Sequence, residues 1–170
     1  MKNYETAAHQ FYSRQNLKNL PLNSWDLYST HFDALCAEAK DLHILKDLAK
    51  ANSWSAPVAF EEALIDRKEV IVVTDAALNI VHATHNMIAM NGYTLKETKG
   101  QKPKMFQGAL TSKETTQKIA KAIKNEESFE TVVLNYRKDG STYNCWIKGQ
   151  PLFNDHGKVV NFIAFEREVA

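Results

Sequence analysis

The alternation of apolar and polar residues in the segment Phe129–Gln150 predicts a β-hairpin. A period of two places Val133 and Asn135 on one face of its first strand and Leu134 on the other. Lys138-Asp139-Gly140-Ser141 lies between the two predicted strands and has the composition of a tight turn. Both faces carry apolar side chains, so we expect other segments to cover the sheet on each side.

A helical period dominates the chain before this hairpin. Apolar residues recur at steps of three and four from Asn23 or Ser24 to about Ala51, which predicts one long helix. The stripe comprises Trp25, Tyr28, Phe32, Leu35, Ala39 and Leu42, and Leu45 extends it after a shift. Shorter helices are predicted over residues 4–14 and over Val58–Ile65.

Short strands and helices then alternate along the chain. Two β-branched runs, Val70–Thr74 and Ile80–Thr84, predict a second hairpin. Short helical turns follow near residues 87–90, and Thr111-Ser112-Lys113-Glu114 resembles a capping box that opens a longer helix. A last strand is predicted over Val159–Glu166. The order is strand, strand, short helices, longer helix and three strands, which indicates an α+β fold.

Composition narrows the functional classes. The chain has 170 residues, 44% of them hydrophobic, which suffices for a core. Because 21 Lys and Arg nearly balance 20 Asp and Glu, we expect no nucleic-acid partner. The polar N-terminus and the lack of a long apolar run predict a cytoplasmic protein with no membrane partner. Cys36 and Cys145 are expected to be buried, reduced thiols.

The element order, together with Gly92-Tyr93, Gly100 and Arg137-Lys138-Asp139-Gly140, resembles a PAS domain over about residues 69–167. Within that superfamily the chain is most similar to the LOV branch of flavin-binding blue-light sensors, because Gly100–Gly108 (GQKPKMFQG) resembles their Gly-x-Asn-Cys-Arg-Phe-Leu-Gln-Gly motif. The resemblance implies a five-stranded antiparallel sheet with short helices on one face. We expect residues 1–57 to form an N-terminal helical extension and residues 58–170 the PAS domain.

The same resemblance implies a flavin as candidate cofactor, with departures at several positions. Pro103 stands at the position of the photoactive cysteine, so no cysteinyl adduct is expected. Two phosphate-binding arginines correspond to Lys104 and Ala120, a ring-binding asparagine to Cys145 and a glutamine to Glu166, whereas Gln107 and Asn135 match the family pattern. Residues 112–125 contain no histidine, which argues against heme.

Alternation places three polar residues, Asn135, Cys145 and Glu166, on one face of the predicted sheet. We expect Phe162 to lie beside them and the short helices with Met87 and Met90 to lie above. Gln107 and Lys104 complete the candidate ligand pocket. The alternative is a filled core in which Asn135 bonds to backbone and Glu166 reaches solvent.

His82 and His85, with Cys145, raise the question of a metal site. Their spacing is not a known ligand pattern, so surface or capping histidines are favoured and no metal is predicted.

No catalytic arrangement of residues is visible, so an enzyme is not expected. The prediction is a sensory PAS module that binds a small ligand or passes a signal to a partner protein by contact. Two alternatives remain open: a flavin-binding photosensor without adduct chemistry, and a ligand-free dimerisation or interaction module. A homodimer through the N-terminal helices and the outer sheet face is also expected. Seven residues define that outer face: Ile71, Val73, Val132, Leu134, Trp146, Ile163 and Phe165.

Overall fold

A computed structural model describes residues 23–170, with side chains from Phe32 onwards. The helix predicted over residues 4–14 lies outside the described residues. Residues 37–170 form one compact unit, and the described residues 23–36 belong to a second unit. The long helix, α1, spans Asn23–Ala51 as predicted. None of the helices in the described part of the chain is both long and apolar enough to span a membrane.

Five strands form one antiparallel sheet in the order β2-β1-β5-β4-β3. Its strands are β1 (Val70–Asp75), β2 (Ile80–Ala83), β3 (Phe129–Tyr136), β4 (Thr142–Phe153) and β5 (Val159–Val169). Both predicted hairpins are therefore present. The last strand continues three residues beyond the predicted end at Glu166, because β4 pairs with it as far as Val169.

Four short helical segments connect β2 to β3. They are α2 (Met87–Asn91), α3 (Leu95–Thr98), a 3-10 turn (Pro103–Phe106) and α4 (Lys113–Lys124). The capping residue of α4 is Ser112, whose side chain accepts a hydrogen bond from the backbone nitrogen of Thr115. The prediction of a capping box at Thr111–Glu114 was wrong, because the helix is capped by Ser112. A capping box with both of its hydrogen bonds occurs instead at the start of α3, between Thr94 and Glu97.

The segment predicted as a helix over Val58–Ile65 begins later and is wider than an α-helix. A π-helical turn spans Glu62–Asp66. Ala63 and Leu64 are buried on it, so two of its side chains join the core. The turn lies against β1.

Two apolar clusters cover the two faces of the sheet. The outer face carries Ile71, Val73, Ile163 and Phe165, which pack with Phe60 and Leu64 and with Leu45 of α1. On the inner face, Val70, Val72 and Cys145 pack with Met87, Met90 and Phe106. We expected other segments to cover both faces of the β3–β4 hairpin. The outer face is covered only in part, because Val132 there is 47% exposed.

The buried residues of α1 match the predicted stripe at Leu42 and Leu45 but not at its earlier positions. The side chains of Trp25 and Tyr28 lie outside the described residues. Phe32 and Leu35 are 66% and 47% exposed, whereas Glu38 and Asp41 are buried. Cys36 is exposed, so the expectation of two buried thiols was wrong for this residue. Since residues from Ala37 onwards belong to the same compact unit as the sheet, this part of α1 is integral to the domain. The boundary at residue 57 stays a prediction.

Candidate functional site

A cavity of about 100 Å³ lies between the inner face of the sheet and the segments around the 3-10 turn and α4. We call it the inner pocket. Its walls are largely apolar, with Val72, Ile147 and Phe162 from the sheet, Phe106 from the 3-10 turn and Ile119 from α4. A largely apolar cleft or cavity with a few polar groups is the usual form of a small-molecule site.

Polar side chains of three different strands reach the inner pocket. Thr74 on β1, Asn135 on β3 and Glu166 on β5 all line it, and each is at most 5% exposed. Thr74 faces Phe162 in the strand register, which places both on the inner face. Among the described residues, the hydroxyl oxygen of Thr74 finds no hydrogen-bond partner. Buried polar atoms are costly when unpaired, so this oxygen needs a donor or acceptor from outside the protein.

Glu166 is a buried carboxyl next to a thiol. Its Oε2 lies 3.9 Å from Sγ of Cys145, which is also fully buried. Burial raises the pKa of Glu166 to about 7, and the contact with Cys145 opposes the rise only in part. Burial also raises the pKa of the Cys145 thiol, as does the neighbouring Glu166. Glu166 therefore offers a protonatable carboxyl to the pocket. Cys145 does not line the cavity, and its thiol stays protonated in the inner cluster.

The other residues of the sequence-based candidate set are divided between the pocket and its surroundings. Gln107 and Phe162 line the inner pocket, as does Pro103 at the position of the LOV cysteine. Met87 and Met90 belong to the inner cluster beyond the pocket wall. The exposed Lys104 does not line the cavity.

Residues outside the sequence-based set also form the pocket. Phe129 lies opposite Gly149 in the β3–β4 register, and both line the cavity. The alternation of β3 already placed Phe129 on the same face as Asn135. Thr74 could have been predicted in a similar way, because it pairs with Phe162 in the register of β1 and β5.

His82 and His85 both contact Asp41 of α1. His82 is 3% exposed, so the expectation of a surface or capping residue was wrong for it. Its Nε2 lies 3.2 Å from Oδ1 of Asp41, without the alignment of a hydrogen bond. Within the part of the chain that the structure describes, no group of three metal-ligating residues is found.

A larger groove of about 520 Å³ lies on the outer face, between β4, β5 and the segment Pro57–Glu69. It is open to solvent, and charged side chains such as Arg67, Lys148 and Arg167 line it. Arg167 stacks on the ring of Trp146, 4.8 Å from its centroid. The walls of this groove are more polar than those of the inner pocket, so the inner pocket is the better ligand site.

Comparison with known proteins agrees with this architecture. The PAS domain family matches residues 68–170. The chain therefore belongs to the PAS domain family, a class of sensory modules. Its similarity within the family is to LOV domains.

Two curated relatives illustrate that similarity. Protein TWIN LOV 1 of Arabidopsis thaliana is 36% identical over 62% of this chain and 28% of its own length. Phototropin-2 of Oryza sativa subsp. japonica is 34% identical over 72% of this chain and 14% of its own length. The chain thus spans less than a third of either relative.

Among solved structures, the dark form of the blue-light photoreceptor Aureochrome1 LOV domain matches with a TM-score of 0.62 and 28% identity. The match covers 68% of this chain and 86% of that one. A LOV domain studied with a flavin analogue gives the same TM-score at 29% identity, over 66% of this chain and 86% of that one.

The flavin that the LOV resemblance implies does not fit the inner pocket in this structure. The cavity of about 100 Å³ is smaller than the roughly 150 Å³ cavity that takes up benzene. Pockets for larger organic ligands measure about 300–1,000 Å³. A three-ring heterocycle therefore needs space that side chains now fill.

Proposed function

We propose that this PAS domain senses a small organic ligand in the inner pocket and transmits the response through protein contacts. The observation that carries the proposal is the set of buried polar groups around an apolar cavity: Thr74, Asn135 and Glu166. Retaining such groups in a core costs free energy unless a partner satisfies them. Of the three, the hydroxyl of Thr74 has no partner among the described residues, and a bound ligand with a donor or acceptor supplies one.

A sensor rather than a catalyst fits the chemistry of the pocket. Burial raises the pKa of Cys145, so its thiol is a poor nucleophile. Pro103 offers neither a nucleophile nor a backbone N–H. We therefore propose that the domain forms no covalent bond with its ligand and has no light-driven cysteinyl adduct.

Binding in the inner pocket has a physical route to the surface of the domain. Glu166 of the pocket is followed on β5 by Arg167, which stacks on Trp146 at the outer face. Successive residues of one strand point to opposite faces of the sheet. A shift of β5 therefore moves Glu166 in the inner pocket and Arg167 at the outer face together. We propose that the outer face and α1 pass this change to a second copy of the chain, with a further signalling protein as partner.

A homodimer is supported by the exposed apolar side chains. The side chains of Phe32 and Leu35 on α1 and of Val132 on the outer face are 66%, 47% and 47% exposed. Exposed apolar patches of this kind mark interaction surfaces. The cytoplasmic location inferred from composition stays a prediction.

Ligand release tests the proposal directly. The full chain is purified, examined by native mass spectrometry and absorption spectroscopy, and then denatured to release bound small molecules. We expect a non-covalent organic ligand that Asn135→Ala loses. Asn144→Ala is the matched control, because Asn144 lies on the exposed outer side of β4.

Two results would contradict the proposal. One is a reversible blue-light bleach of a flavin band with dark recovery, which requires adduct chemistry. The other is a ligand that both variants retain equally, which places binding outside the inner pocket.

A further inference from the structure

The inner pocket adjoins a second hollow of about 400 Å³ at the turn between β1 and β2. We call it the outer hollow. Its walls come from that turn, from the C-terminal end of α4 and from the turn between β4 and β5. Leu78, Ile123 and Phe162 line both spaces. These three half-buried side chains therefore form the boundary between the inner pocket and the outer hollow.

Leu78 has a backbone conformation that leucine rarely adopts. Its φ is 66°, in the left-handed region, where the Cβ atom of an L-residue is crowded by the backbone. Hairpin turns normally carry glycine or asparagine at such a position. The leucine is therefore retained at a cost in backbone strain, and strain of this kind is typical of functional sites. Here its side chain serves to separate the inner pocket from the outer hollow.

Of the three boundary residues, Leu78 is the one best placed to move. Ile123 belongs to the helix α4, and Phe162 lies on β5 in the middle of the sheet. The turn is held at its ends, where the Asp75 carboxylate accepts hydrogen bonds from the backbone (2.8 Å) and the side chain (2.9 Å) of Asn79. Rotation of Leu78 to a negative φ breaks its backbone hydrogen bond to the carbonyl of Asp75 (3.0 Å) and relieves the strain.

We infer that Leu78 is a movable gate between the inner pocket and the outer hollow. When its side chain is withdrawn, the cavity of about 100 Å³ joins the larger hollow. The combined space then falls within the roughly 300–1,000 Å³ of sites for organic ligands. A ligand too large for the present cavity thereby reaches Thr74, whose hydroxyl has no partner among the described residues. This inference rests on the proposed function of the pocket.

Thiol labelling measures access to the inner pocket without a known ligand. In the full chain, Cys36→Ser removes the exposed thiol, and Thr74→Cys places a thiol on the pocket wall. The reagent is methyl methanethiosulfonate, and mass spectrometry identifies which residue is labelled. Cys145 is fully buried and does not line the cavity, so its labelling reports a wider opening of the domain.

Leu78→Gly and Leu78→Asn remove the gate and suit the left-handed conformation. Leu110→Gly and Leu110→Asn are the matched controls, because Leu110 is 69% exposed and lines neither space. We expect both Leu78 variants to label the introduced thiol at least tenfold faster than the parent chain and the Leu110 variants. The labelling rate of Cys145 should be the same in all of them. Circular dichroism establishes which variants are folded, and one folded Leu78 variant decides the result.

Three results would overturn the gate. Equal labelling of the introduced thiol in the parent and the Leu78 variants shows that access follows another route. Faster labelling of both thiols together shows that Leu78 is an ordinary packing residue whose loss opens the domain. Loss of folding in both Leu78 variants shows the same. None of these results bears on the proposed function, which a ligand retained by the wild type and lost from Asn135→Ala still supports.

Discussion

Oδ2 of Asp41 lies 2.7 Å from the backbone nitrogen of His85 and 2.8 Å from Nδ1 of the same residue. The other oxygen of this carboxylate lies 3.2 Å from Nε2 of the buried His82. Asp41 belongs to α1, whereas His82 lies on β2 and His85 follows that strand. A single carboxylate thus links the helix to the strand by three contacts. Movement of this part of α1 relative to β2 has to break them.

Asp41→Ala should be much more destabilising than an equivalent change on the exposed side of α1. A hydrogen bond to a charged group contributes about 1.5–3 kcal/mol, and the variant leaves a backbone donor without its partner. We expect a loss of that size in the free energy of unfolding by urea. Asp47→Ala is the control, because Asp47 pairs with His43 at the surface, where such pairs contribute about 0–1 kcal/mol. Equal losses in the two variants would show that the Asp41 contacts do not stabilise the fold.

Acid should weaken the same contacts. Burial would raise the pKa of Asp41, but the contacts with His82 and His85 outweigh it and hold the pKa below the ordinary value of 3.8. A lowered carboxyl pKa stabilises the folded state above the ordinary value, and this stabilisation is lost as pH falls below it. We expect the stability difference between the wild type and Asp41→Asn to shrink as pH falls from about 5 to 3. A difference that stays constant over this range would contradict the assignment.

Sequence patterns predicted the strands and the long helix, and they predicted the buried side of α1 at Leu42 and Leu45 only. A period of three and four picks out apolar positions, and these include the exposed Phe32 and Leu35. That pattern could not predict the burial of Glu38 and Asp41, because it assigns charged residues to the solvent-exposed side. Their partners, Lys68 for Glu38 and the two histidines for Asp41, lie at least 30 residues away along the chain. Only the packed structure brings them together.

Strand alternation predicted the site better than helix periodicity predicted α1. Asn135 and Glu166 share the inner face because a strand has an exact period of two. Met87 and Met90 lie on a five-residue helix, too short for a period to place them relative to the sheet. Sequence patterns could not predict the small volume of the pocket, because it depends on the Phe129 ring lying over Gly149.

Glu166 should make the domain less stable as pH rises. Burial raises its pKa from the ordinary 4.5 to about 7, so the folded state holds a proton that the unfolded chain has released. Stability should therefore fall between pH 4.5 and 7 and level off above. Since one pKa unit corresponds to about 1.4 kcal/mol, the loss is about 3 kcal/mol. Glu166→Gln should remove this slope in urea unfolding measured from pH 4.5 to 8.

The exposed Glu127 supplies the control for that series. Glu127→Gln should follow the wild-type pH profile. A wild type whose stability is flat over the range would show that Glu166 is solvated or already paired. The same result would mean that Glu166 does not offer a protonated carboxyl to a ligand in the inner pocket.

Truncation separates the part of α1 that belongs to the domain from the part that does not. Leu45 is fully buried in the outer cluster with Ile71, Ile163 and Phe165. A fragment of residues 56–170 loses Leu45 and exposes that cluster, so we expect aggregation in gel filtration. A fragment of residues 37–170 retains Leu45 and should be soluble and cooperatively folded. Equal stability of the two fragments would show that α1 is a tether.

Leu35→Asp tests the proposed homodimer. Leu35 is 47% exposed and Phe32, one turn earlier on α1, is 66% exposed. Burying an apolar side chain of this size in an interface contributes about 1.5–3 kcal/mol, and a charge there opposes association. We expect sedimentation at micromolar concentration to give a dimer for the wild type and a folded monomer for Leu35→Asp. Asp33→Asn is the control on the same exposed stretch and should stay dimeric. A monomeric wild type would refute the dimer, and a dimer that survives Leu35→Asp would move the interface to another surface.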